Sequence, residues 1–209
     1  MTARMTRFIL ELSDPITGEI SDAVPLDDAM TSVIEQALDM HPLNPGLRYP
    51  VAPGLLNEML AAVGVTREAS DRIASIRTAR WFDALPYTLH TGRELAMMRS
   101  GVKPLAAFTD DMPDVVGNGI VPESIFEPYV ATGQIVRRQV IRTVHGRPCR
   151  DVLYALSAES WRIEAYLLVL DLAGREGWSP ILERMQGRLL GYTDEQNDAY
   201  QELSAARHI

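Results

Sequence analysis

The sequence predicts an α+β protein: antiparallel hairpins in the first two thirds, six or seven helices, and a C-terminal part that is helical. Three observations predict it. Strand-like alternation recurs in pairs around turn residues, at 7–24 and 135–156. Apolar residues at helical spacing occur in several short stretches between them. Beyond Ser157 the chain carries helix caps and stops and no further strand signal. Alternation of strand and helix between Tyr87 and Leu156 is irregular, which argues against a doubly wound parallel sheet.

Arg7 to Val24 reads as a hairpin, with Pro15 and Gly18 supplying the turn. Met30, Val33, Ile34, Ala37 and Leu38 predict an amphipathic helix over Asp28–Met40, capped by Asp27 or Asp28. The stretch HPLNPGLRYPVAP is rich in proline, so it is irregular or extended. A boundary is expected there, with residues 1–45 a hairpin-and-helix subdomain and 46–209 the main α+β domain, or both one continuous domain. Gly54–Val63 and Thr66–Trp81 read as two helices joined at Gly64-Val65.

Further along, Tyr87–His90 is expected as a short strand, Gly92–Arg99 as a helix and Pro104–Phe108 as a strand. Asp110–Gly119 reads as a loop and Pro122–Val130 as a helix. Ile135–Val144 and Arg150–Leu156 form a hairpin around His145-Gly146-Arg147-Pro148. Ser157 opens a long helix, Ala158–Arg175, with a stripe of Trp161, Ile163, Ala165, Leu168 and Leu172 expected in the core. Trp81, Phe82, Trp178 and Tyr192 read as core or core-edge aromatics. Ser179 caps Pro180–Leu190, and Thr193 with Gln196 forms a capping box for a last helix.

Composition narrows the function classes. The net charge is −8, and residues 1–60 hold −6 of it, an acidic face or interface. A general nucleic-acid coat is excluded. Of 20 basic side chains 19 are Arg and one is Lys103, a usage expected of a G+C-rich bacterial genome or of planar anion contacts. One cysteine, no secretory core at the start and no long apolar stretch predict a soluble, cytoplasmic protein with no membrane contact.

Five candidate sites stand out. His90-Thr91-Gly92-Arg93 places a Thr cap, a titratable donor and a guanidinium where a strand meets a helix start, an arrangement that binds anions. On the 135–156 hairpin, alternation puts Arg138 and Arg142 on one face with Val136, Val140 and Val144, facing acidic neighbours or an anionic ligand. His145, Cys149 and Asp151 hold the residue types of a thiol nucleophile, but no helix start follows to activate the thiol. Asp110, Asp111 and Asp114 form a carboxylate-rich loop, able to hold Mg²⁺ or simply to turn. No zinc-ligand spacing occurs, and no metal or cofactor is expected.

Finally, LLNEMLAAVGVTREASDRIASIRTARW, with Leu56, Leu60, Gly64 and Ile73 at the usual spacing, resembles the helix-turn-helix of bacterial repressors. Its second helix would carry Arg67, Arg72, Arg77 and Arg80 against Glu68 and Asp71. Ser70 departs from that pattern.

The expectation is a binding domain for an anionic small molecule or acidic peptide, using Thr91, Arg93, Arg138 and Arg142. One alternative is an enzyme on a phosphate- or carboxylate-bearing substrate, with His90 as acid-base beside Asp110 or Asp111. Another is a DNA-binding regulator using 66–81. The sequence leaves open whether the protein is an enzyme, and its oligomeric state.

Overall fold

A computed structural model describes residues 8–39, 48–62, 72–110, 121–144 and 146–206. The chain is α+β and divides into two compact units, Met1–Arg93 and Glu94–Ile209.

The first unit is built on a four-stranded sheet. Strand β1 (Phe8–Ser13) turns back through Pro15–Gly18 into β2 (Ile20–Leu26). Helix α1 (Asp28–Ala37) follows, and the Asp27 carboxylate accepts the Met30 N–H at 2.8 Å as its cap. Then come β3 (Arg48–Val51), α2 (Pro53–Ala62) and β4 (Ile73–Thr78). The strand order is β2-β1-β4-β3, all antiparallel.

Register decides the two faces of this sheet. Leu10 lies between Val24 and Ile76, and Leu12 between Asp22 and Ala74. Phe8, Leu10, Leu12, Tyr49, Val51, Ala74 and Ile76 therefore share one face and close a core with Ile34, Leu56, Met59 and Leu60. Each leucine, isoleucine, valine, methionine or phenylalanine among them contributes about 1.5–3 kcal/mol of burial. Ile9, Glu11, Ala23, Pro25, Ser75, Arg77 and Arg48 share the opposite face.

Two expectations are corrected here. Of Thr66–Trp81, residues 66–71 lie outside the described residues, and Ile73–Thr78 is a strand, not a recognition helix. Its Ala74 and Ile76 alternate into the core while Ser75 and Arg77 point the other way, a period of two that outweighs the helical spacing of its arginines. Tyr87–His90 is not a strand but part of an irregular strap that begins with a 3-10 turn at Trp81–Ala84. Pro86 lacks the N–H a ladder needs.

In the second unit, α3 (Glu94–Arg99) leads to β5 (Leu105–Asp110), α4 (Glu123–Ala131), β6 (Ile135–Val144) and β7 (Arg147–Leu156). Strand order is β5-β7-β6. Helices α5 (Trp161–Glu176), α6 (Pro180–Leu189) and α7 (Asp194–Ala205) complete the chain, with Ser179 and the Thr193–Gln196 box capping the last two. Leu95, Met98 and Phe126 cover the sheet on one side against Ala106, Val152 and Tyr154, and the Phe126 ring stacks on Tyr154 at 4.1 Å. Ile163, Tyr166, Val169 and Leu170 cover the other side against Leu105, Leu153 and Ala155.

The apolar residues of helix α5 are spread around its circumference rather than gathered on one stripe, so spacing alone does not choose its buried face. Ile163, Tyr166, Leu170 and Ala173 face the sheet, whereas Trp161 and Leu168, expected in the core, are more than half exposed. Trp178, at the bend between α5 and α6, is also half exposed.

Candidate functional site

The sequence-predicted residues fall in both units. His90, Thr91 and Arg93 belong to the first. His90 is buried, Thr91 is exposed and Arg93 is half-buried. The expected helix start does not follow Thr91. The Arg93 N–H closes a turn onto the His90 carbonyl at 3.0 Å, and α3 starts at Glu94 and is only six residues long. Thr91 is thus not the cap of a helix.

Arg138 and Arg142 belong to the second unit and do share a face of β6, as alternation predicts. Arg142 has an internal partner: its Nε donates to the buried Asp151 carboxylate, which also accepts the Thr109 hydroxyl at 2.7 Å. That hydrogen bond and the Asp151 charge raise the Arg142 pKa. Arg138 stays exposed.

Asp110 accepts from Arg150 at 3.1 Å, and Arg150 also donates to Glu123 at 2.7 Å. Asp111, Asp114 and His145 lie outside the described residues. Cys149 is buried. Among the described residues no cluster of three His, Cys, Asp or Glu is arranged to hold a metal, and no helix is long and apolar enough to cross a membrane.

A cavity of about 610 Å³ lies in the first unit. Its floor is the outer sheet face: Ile9, Glu11, Ile20, Ala23, Pro25, Arg48 and Arg77. Its other wall is the strap from Arg80 to Thr91, including Phe82, Asp83, Leu85, Leu89 and Thr91 itself. The size is that of a small-molecule site.

The floor carries a charge network. Glu11, 3% exposed, sits between two arginines: Arg77 Nε donates to it at 2.6 Å and Arg48 Nη2 at 2.8 Å. Arg77 also grips Asp83 with two parallel hydrogen bonds, at 2.7 and 2.9 Å, and the Arg80 N–H reaches Asp83 at 2.5 Å. The bond to Asp83 is the main reason the Arg77 pKa rises above its ordinary value. Burial alone would raise the Asp83 pKa, but its bonds to Arg77 and Arg80 outweigh burial and hold it below the usual carboxylate range. Arg48 places Nη1 2.8 Å from the Ser75 hydroxyl. The Arg80 guanidinium lies 5.6 Å over the Phe82 ring and, among the described residues, has no ion-pair partner.

Sequence reasoning missed this network because its members come from three strands and a strap. The available signal was Glu11, a carboxylate inside the apolar run FILEL, where alternation sets it on the face opposite Leu10.

The strap is pinned at both ends. Arg77 and Asp83 hold the first. At the second, the Ile20 N–H donates to the Gly92 carbonyl at 2.5 Å. Gly92 has φ +75°, and a Cβ there would lie 2.8 Å from Ile20 Cδ1. Gly92→Ala is therefore expected to cost about 1–2 kcal/mol from left-handed backbone alone, and to push Ile20 off the cavity wall. Amide exchange at Ile20 checks it; unchanged protection would show that the strap is not anchored there.

Comparison with family models, with curated proteins and with solved structures finds no match to this chain.

Proposed function

We propose that the protein binds a small anionic molecule in the cavity of its first unit. The observation that carries this reading is the charge count of the cavity lining. Arg48, Arg77 and Arg80 face Glu11 and Asp83, so the lining holds one more positive than negative charge, in a chain whose net charge is −8. Arg77 is consumed by its two carboxylates. Arg80 has no ion-pair partner among the described residues, Arg48 is partly exposed, and the hydroxyls of Thr88 and Thr91 also line the cavity. A strap fixed at both ends favours a compact ligand over an extended acidic peptide.

Binding is favoured over catalysis by the same groups. Asp83 is held ionised, which makes it a weak proton acceptor near neutral pH, and His90 does not line the cavity. The DNA-binding reading depended on a helix over 66–81 and loses its support with β4. The single, buried Cys149 supports a reducing, cytoplasmic setting.

The test is thermal unfolding and calorimetric titration against a panel of carboxylate- and phosphate-bearing metabolites, repeated on Arg80→Ala. A ligand that raises the wild-type midpoint is expected to bind about tenfold or more weakly to the variant, the worth of one charge-assisted hydrogen bond. Binding indifferent to Arg80, or no binding across the panel, overturns the proposal.

A further inference from the structure

The cavity is polarised, and strand order shows how. In the sequence of strands β2-β1-β4-β3, the floor residues of β2 are Ile20, Ala23 and Pro25, and β1 adds Ile9. Arg77 belongs to β4 and Arg48 to β3. Glu11, on β1, stands at the divide, opposite Ala23 on one side and hydrogen-bonded to both arginines on the other. The strap repeats the division: Arg80 and Asp83 follow β4, while Leu85, Pro86 and Leu89 come later, as the chain runs to Gly92 beside Ile20. The β2–β1 side of the cavity floor is hydrocarbon and the β4–β3 side is cationic, while the strap adds Tyr87, Thr88 and Thr91 among its apolar residues.

We infer that the ligand is an amphiphilic monocarboxylate, an aliphatic or aryl acid with a single negative charge. This rests on the anion-binding reading above and narrows its ligand class. The carboxylate meets Arg80 and Arg48 at the β4–β3 side. The apolar body lies along Ile9, Ile20, Pro25 and Leu89 at the β2–β1 side. A single charge matches the single uncompensated positive charge of the lining; a dianion would leave an unneutralised charge beside Glu11 and Asp83. An inorganic anion would leave the hydrocarbon side hydrated, and an apolar molecule without a head would make no charge-assisted bond to Arg80 or Arg48.

Four probes separate these contributions by calorimetry: octanoate, octanol, acetate and inorganic phosphate. Octanoate is expected to bind at least about tenfold more tightly than either acetate or octanol. Arg80→Ala is expected to weaken octanoate about tenfold and leave octanol unchanged. Leu89→Ser is expected to weaken octanoate and leave acetate unchanged. If phosphate or acetate binds in an Arg80-dependent way and octanoate binds no better, the anion site stands and the amphiphile is overturned. If octanoate binds but ignores both substitutions, it binds elsewhere, and the inference fails. If no probe binds and the metabolite panel is also silent, both readings fall together.

Discussion

Replacing Glu11 with leucine is expected to lower stability by about 3 kcal/mol or more, the largest effect of any single substitution on the outer sheet face. The cause is the cation it leaves behind. The Arg77 side chain is 11% exposed and its Nε bond goes to Glu11 at 2.6 Å. Without that carboxylate, a mostly buried guanidinium keeps Asp83 as its one charged partner, beside the Thr78 carbonyl at 3.1 Å. Arg48, with half its side chain in water, rehydrates at little cost, so the loss falls on Arg77. Removing both partners tests this directly. Glu11→Leu with Arg77→Met should recover part of the loss, with a coupling of about 1–3 kcal/mol across the double-mutant cycle. Native-state exchange of the β1 and β4 amides gives the readout. If the single variant costs under about 1 kcal/mol, or the two changes simply add, the network does not hold the sheet. Acid should mimic the change in part. Asp83 has a folded pKa below its unfolded one, so its contribution is complete above about pH 4 and is lost as pH falls through the folded value.

That network also marks the limit of what sequence reading reaches. Local patterns were legible: the β1–β2 turn, the Asp27 cap, the Thr193–Gln196 box and the face shared by Arg138 and Arg142 all depend on residues a few positions apart. Strand β4 was not, because Ile73–Thr78 is a strand only through its partners β1 and β3 on either side. Within the site, Glu11 and Arg77 are 66 positions apart, and the arginine looked like one of four on an exposed helix. Thr91 was singled out as a helix cap; it lines the cavity instead as part of a strap. Arg142 was singled out for an anion, and its anion is Asp151 of the neighbouring strand.

The only lysine in a chain of arginines is buried, and its titration should govern alkaline stability. Lys103 is 3% exposed. Its Nζ donates to the Leu190 carbonyl at the end of α6, at 3.1 Å, and lies 5.6 Å over the Tyr192 ring. The backbone closes tightly around it: Gly191 has φ +90°, and a Cβ there would come 2.5 Å from Pro104 Cδ. Burial lowers its pKa from 10.5 to about 8, against the opposing pull of the Glu94 charge. The folded state thus holds the ammonium's proton less tightly than the unfolded chain does. Below pH 8 both states are protonated and the penalty is constant. Between pH 8 and 10.5 the unfolded chain binds the proton and the folded chain does not, so stability rises with pH. The gap between those two values is worth about 3 kcal/mol. Lys103→Met removes the titration while keeping the hydrocarbon stem. Urea midpoints of the wild type should therefore climb from pH 8 to 10.5 relative to those of the variant, and run parallel to them between pH 6 and 7. Parallel curves throughout would mean that the ammonium stays protonated in the fold, its charge satisfied by Leu190, Tyr192 and Glu94.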